Sequence, residues 1–156
     1  MTASTVVELL LAAPASAQTE MQWARRDGEG RILLAYEVPE TSDQSVVLVC
    51  DTRSRRFTVS YIDGRDRTRD GTRAKVVFAS EGGKLALPMR AQKQELDDTI
   101  ILKAEPALSP EWVRILSGQT LRITLSDDTE SIPLAGARKG VAALAAGCSR
   151  EGAAAE

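Results

Sequence analysis

The chain contains two cysteines, Cys50 and Cys148, and their separation constrains the fold more than any other feature of the sequence. A bond between them would close a loop of about a hundred residues, which in the chain-entropy model stabilises by roughly 4–5 kcal/mol. A redox-active or nucleophilic thiol usually has a neighbouring cysteine, a histidine or a positive helix N-terminus. The chain has no histidine, and Cys148 lies at the C-terminal end of a predicted helix. We therefore predict a structural disulfide.

The N-terminal segment favours export. An apolar stretch from Val6 to Ala13 precedes Ala15-Ser16-Ala17, which places small residues at the −3 and −1 positions of a cut before Gln18. We expect residues 1–17 to be a signal peptide and the protein to be periplasmic, where a disulfide persists. The alternative is a cytosolic protein with an apolar N-terminal helix, because no base precedes the stretch and Glu8 interrupts it. The stretch is shorter than the ~20 apolar residues of a membrane span, so no span is expected.

Length and charge limit the remaining possibilities. We expect a single β-rich domain over residues 18–148, followed by a disordered tail over 149–156. The net charge is −2 and aromatic residues make up 4% of the chain. Neither a global positive field nor a set of stacking platforms is therefore available, and we expect no nucleic-acid partner.

Alternation of apolar and polar residues predicts seven to nine short strands separated by polar turns. The fold class is therefore mainly β, an antiparallel β-sandwich or a barrel-like domain. The segment Asp27-Gly28-Glu29-Gly30 is interpreted as a turn, since it lacks the lysine and the helix of a phosphate-binding loop. The predicted strands are 31–38, 45–50, 57–62, 75–79, 84–89, 99–103, 120–125 and 131–134.

Two helices interrupt this pattern. Ser109-Pro110-Glu111 combines a hydroxyl N-cap, a proline at the first helical position and an early acid, which predicts a short helix near 110–117. A second helix near 136–147 places Val141, Leu144, Ala145 and Cys148 on one stripe, which we expect to pack on the sheet.

The absence of histidine excludes a Ser-His-Asp or Cys-His triad and a histidine-ligated zinc site. The carboxylate pairs Asp97-Asp98 and Asp127-Asp128 could serve acid–base chemistry, but both fall at strand boundaries, where aspartate favours turns. We expect no enzymatic activity, no metal and no cofactor. An enzyme that uses the aspartate pairs is the third hypothesis.

Arginines concentrate between residues 53 and 75, interleaved with aspartates. One interpretation is a solvated hairpin edge held by mutual pairing. The other is a mobile cationic loop that binds an acidic polymer or protein through its planar guanidinium groups. The candidate binding residues of that loop are Arg65, Arg67, Arg69 and Arg73.

Several scattered residues form a pattern found in a known group of proteins: Trp23, the segment from Tyr36 to Pro39, Cys50, and an ending in which 132–136 leads through Val141-Ala142-Ala143-Leu144 to Cys148. The chain resembles small exported proteins of Gram-negative bacteria, many alphaproteobacterial, whose function is uncharacterised. Its ending is similar to that of the type VI secretion-associated VasI-like proteins. The resemblance implies an exported β-domain with the same disulfide and no known catalytic residues.

These observations predict a non-catalytic periplasmic or envelope protein that acts by binding. Its expected partner is an unknown envelope protein or an acidic polymer. The alternative function is inhibition of a hydrolase, in which the arginine-rich loop enters the active-site cleft.

Overall fold

A computed structural model of the chain describes residues 20–149. The predicted signal peptide, residues 1–17, and residues 150–156 of the predicted tail lie outside this range. Within it, nine antiparallel strands form a single sheet accompanied by two short helices. The predicted mainly β class is confirmed, in its barrel-like form rather than as a sandwich, because the one sheet curls into a half-barrel.

The strands occur in the spatial order β1-β2-β3-β4-β7-β6-β5-β8-β9. The polypeptide therefore forms a meander over β1 to β4 and a second antiparallel group over β5 to β9. Their bounds are β1 Gln22–Gly28, β2 Arg31–Glu37, β3 Gln44–Asp51, β4 Arg56–Asp63, β5 Arg73–Ser80, β6 Gly83–Lys93, β7 Ile100–Ala104, β8 Thr120–Leu125 and β9 Asp128–Pro133. The helices are α1 Pro110–Leu116 and α2 Arg138–Cys148.

Strand β1 was not predicted. Only one of its seven residues, Trp23, is buried, and the other side chains include three charged residues, so the apolar alternation that marks a strand is absent.

The turn predicted over Asp27-Gly28-Glu29-Gly30 contains fewer residues than expected. Asp27 and Gly28 belong to β1, and the turn consists of Glu29 and Gly30, both with positive φ, as in two-residue hairpins.

The sheet curls because one face buries its apolar side chains. Along β4, for example, Phe57, Val59 and Tyr61 are buried on the inner face, while the intervening residues point outward. The two edge strands meet at one point, where the Trp23 Nε1–H donates to the carbonyl oxygen of Pro133 at 2.7 Å. This bond holds β9 beside β1 although the two strands share no ladder.

Helix α1 fills the concave side of the sheet. The hydroxyl of Ser109 caps it by accepting from the Trp112 N–H, and Pro110 opens it, as predicted. The Trp112 ring is buried, with its centroid 5.1 Å from that of Phe78 and 6.0 Å from that of Phe57. Because these two phenylalanines come from β5 and β4, the helix joins the two halves of the curled sheet.

Helix α2 covers β2 and β3 and is bonded covalently to the sheet. Its stripe of Gly140, Val141, Leu144 and Cys148 is buried. The approach is close, since a methyl group added at Gly140 would lie 2.5 Å from a methyl carbon of Leu34. The predicted disulfide between Cys50 and Cys148 is present, with the two Cα atoms 5.9 Å apart.

The lengths and hydropathy of the helices bear on whether the chain crosses a membrane. Across residues 20–149, the structure has no helix that is both long enough and apolar enough to cross a membrane.

Candidate binding surface

Asp63, at the end of β4, organises the loop that follows it. Its side chain has no exposed surface, and one carboxylate oxygen accepts from both the N–H and the hydroxyl of Thr68, at 2.9 and 2.8 Å. The other oxygen accepts from the Arg67 guanidinium at 3.0 Å. Burial alone raises the pKa of Asp63, but these hydrogen bonds outweigh burial and hold the pKa below its ordinary value.

Arg67 is the centre of a polar network at this end of the half-barrel. Its side chain is 13% exposed, and its guanidinium contacts Asp63, the Asp128 carboxylate at 3.3 Å and the Tyr61 hydroxyl at 3.1 Å. The Tyr61 hydroxyl donates to Glu130 at 2.7 Å, and burial is the main cause that raises the Tyr61 pKa to about 12. Residues from β4, the following loop and β9 are thereby tied together across the sheet.

The four arginines of the predicted binding loop therefore divide into two pairs. Arg65 and Arg67 both pair with Asp128, and Arg67 also pairs with Asp63, but the Arg65 side chain is still 59% exposed. Arg69 and Arg73 are exposed. The loop from 64 to 72 is consequently anchored through Asp63, rather than held only by solvated charges. Whether it binds a partner stays a prediction.

Arg73 belongs to a group of bases that sequence reasoning missed. It lies directly opposite Arg90 in the β5–β6 ladder, and Arg90 lies directly opposite Lys103 in the β6–β7 ladder. Lys75, two residues beyond Arg73, points to the same outer side of the sheet. We call Arg73, Lys75, Arg90 and Lys103 the cationic face. All four are exposed.

Nothing on these strands compensates the cationic face. Strands β5, β6 and β7 contain six bases and no acid. None of the four residues forms an ion pair within residues 20–149. The nearest acid along the chain, Glu105, lies 3.8 Å from Arg56 instead. The four charges are therefore exposed to solvent without an ion pair, although Lys103 lines one cleft together with Asp51 and Glu105.

This arrangement opposes folding. Residues directly opposite in an antiparallel ladder have Cα atoms ~4.5–5.5 Å apart, and like charges in such pairs are destabilising. The row of Arg73, Arg90 and Lys103 contains two such unfavourable pairs. Sites where a sequence opposes its own fold are often functional sites, which makes the cationic face the candidate binding surface.

The remaining predicted groups lie elsewhere. Asp97 and Asp98 are in the β6–β7 loop, where the Asp97 carboxylate accepts from the Thr99 N–H at 3.1 Å. Asp127 is in the β8–β9 turn and Asp128 begins β9. Both pairs therefore occupy turns or strand ends. Within residues 20–149, no group of three or more potential ligands is placed to hold a metal ion.

Two of the surface clefts within residues 20–149 lie beside the helices and the polar network. The larger, of about 710 Å³, lies between the end of α1 and the start of α2, and Arg138 is the one ionisable residue among its described lining residues. The second, of about 320 Å³, lies over the polar network beside Tyr61, Arg65, Arg67 and Glu130. The two arginines of this cleft are engaged by Asp128 and Asp63, whereas its acids, Asp43 and Glu130, form no ion pair within residues 20–149.

Comparisons with protein-family models, with curated proteins and with solved structures give no significant match.

The polar network predicts a stability effect at Asp63. Asp63→Asn should lower the free energy of unfolding by roughly 2–4 kcal/mol, because Arg67 loses its buried ionic partner. The folded-state pKa of Asp63 is depressed, so its contribution is present above about pH 4 and disappears as the pH falls through the folded pKa. Urea denaturation at several pH values measures both effects.

The control is Asp66→Asn, an equal change at an exposed position of the same loop. It should change stability by no more than about 0.5 kcal/mol. Equal stabilities of the two variants would contradict the role assigned to Asp63.

The cationic face predicts a gain of stability. Arg90→Glu replaces two repulsive cross-strand pairs by two attractive ones, and should raise the free energy of unfolding by about 0.5–1.5 kcal/mol at low salt. Screening should remove most of the gain near 1 M salt. Thermal denaturation of dilute protein checks this, with Lys84→Glu as the control, because Lys84 lies opposite Ala79 in the same ladder. A loss of stability at Arg90 would refute cross-strand repulsion.

Proposed function

We propose that this protein is a non-catalytic periplasmic binding protein that holds an anionic partner on its cationic face. The observation that carries the proposal is the in-register row of Arg73, Arg90 and Lys103, which forms no ion pair within residues 20–149 and opposes folding. A charged row that costs stability is retained most simply if it has a ligand.

The shape of the surface favours an extended partner. Adjacent strands are ~4.7–4.9 Å apart, so the three bases of the row span roughly 10 Å across the sheet. Lys75 extends the group along β5. The outward residues between the bases are small or apolar, among them Ala86 and Pro88, and leave the face open. An acidic polymer with repeated carboxylate or phosphate groups can contact several of these cations at once, and guanidinium groups bind such anions in a bidentate manner.

The arginine-rich loop is the weaker alternative. Inhibition of a hydrolase by this loop would use Arg65, Arg67, Arg69 and Arg73, of which Arg65 and Arg67 are engaged by Asp128 and Asp63. A partner would have to displace those contacts before it gained any from the two arginines. The cationic face requires no such exchange.

The disulfide supports the periplasmic part of the proposal. Cysteine pairs of this kind persist in oxidising compartments and are rare in the cytosol. The mass of protein recovered from a periplasmic fraction tests it. Loss of residues 1–17 with Cys50 and Cys148 oxidised is the expected result. An intact chain found only in the cytosol would contradict it.

The binding proposal is tested with a soluble acidic polymer, polyglutamate, as the probe. Arg90→Gln combined with Lys103→Gln should weaken binding about tenfold or more, and the remaining affinity should depend less on salt, since fewer charge contacts are left to screen. Titration calorimetry at two salt concentrations measures both.

The matched control combines Arg55→Gln with Lys84→Gln, which removes the same charge from exposed positions outside the cationic face. Its affinity should equal that of the unaltered protein. Equal weakening by both pairs would mean that net charge, and not the cationic face, governs binding.

A further inference from the structure

The loop between β6 and β7 is acidic, so its charge is opposite in sign to that of the cationic face. Glu95, Asp97 and Asp98 are exposed acids, and Leu96 between them is fully exposed. Leu96 is the one large apolar side chain in residues 20–149 that is exposed in this way. An apolar residue surrounded by charges resembles the centre and rim of a protein interface.

The loop is held in one conformation. The Gln94 N–H donates to the Thr99 carbonyl at 2.8 Å, and the Asp98 N–H donates to the Gln94 carbonyl at 3.2 Å. Lys93 forms an ion pair with Asp98 at 3.3 Å. A loop organised in this way loses little conformational freedom on binding, which favours its use as a docking element.

The loop and two residues of the cationic face, Arg90 and Lys103, belong to the same β6–β7 hairpin, while Arg73 and Lys75 are on the adjacent strand β5. Between them, on the outer side of the sheet, lies a row formed by Gln92 in β6, Ile101 in β7 and Ile62 in β4. In the sequence, Arg90 precedes Gln92 of this row by two residues, and Leu96 follows Gln92 by four residues, in the loop after β6. An apolar centre is thus flanked by a positive region on one side and a negative region on the other.

We propose that two copies of the chain pair through this hairpin. A two-fold axis through the row of Gln92, Ile101 and Ile62 would place the acidic loop of each copy on the cationic face of the other. Such a contact is self-complementary and closes after two subunits.

This dimer deepens the proposed function, because it covers the surface that the anionic partner uses. The acidic loop of the second copy and an acidic polymer would then compete for Arg90 and Lys103. Polyglutamate should accordingly convert dimers to monomers. Rim electrostatics dominate the contact, so the dimer should weaken as salt increases.

Charge exchange between two variants tests the pairing. The face-reversed variant carries Arg90→Glu and Lys103→Glu, and the loop-reversed variant carries Glu95→Lys and Asp98→Lys. Each alone should be monomeric in low salt, because like charges then meet at both contacts. An equimolar mixture should form a heterodimer, since the acidic face of the first variant meets the basic loop of the second at one contact, and the acidic loop of the first meets the basic face of the second at the other.

Sedimentation velocity at about 100 μM protein, far above a micromolar dissociation constant, gives the readout. The control carries Arg55→Glu and Lys84→Glu and should dimerise like the unaltered protein. A monomeric unaltered protein would overturn the dimer, and so would a dimer that survives either reversal or a mixture that stays monomeric. Polyglutamate binding by a monomeric protein would leave the proposed function intact, so the two failures are distinguishable.

Discussion

The disulfide between Cys50 and Cys148 is the constraint on which the rest of the structure depends. It fastens α2 over β2 and β3, at the place where Gly140 allows the helix to approach Leu34. The sheet has few aromatic residues, so each core side chain buries a modest apolar area. A disulfide that closes most of the chain therefore contributes a large share of the free energy of unfolding, which is typically ~5–15 kcal/mol.

Charged residues of this protein serve two distinct purposes. Around Asp63, Arg67 and Asp128 they meet opposite charges and close one end of the half-barrel. Along the cationic face they meet like charges in register and remain exposed. The first arrangement stabilises the fold through internal ion pairs and requires no ligand. The second opposes folding of the sheet, and the proposed anionic partner would account for its presence.

Features that depend on local sequence patterns were predicted, whereas features that depend on the register between strands were not. The disulfide, the Ser109 cap and eight of the nine strands were predictable, because cysteine usage, capping residues and period-two alternation are local signals. Strand β1 was missed because its pairing with β2 stabilises it without an apolar alternation. The cationic face was missed because Arg73, Arg90 and Lys103 are far apart in sequence, and only the ladders show that they adjoin. The one signal available was the absence of acids from β5, β6 and β7.

Mapping of the bound anion tests the central claim most directly. Amide chemical shifts of the isotope-labelled protein would be followed during titration with polyglutamate in low salt. The account predicts that the largest changes occur at Arg73, Lys75, Arg90 and Lys103, with little change at Arg67 and Tyr61, whose partners are internal. Changes concentrated around the loop from 64 to 72, or spread evenly over all exposed bases, would contradict the assignment of the cationic face as the binding surface.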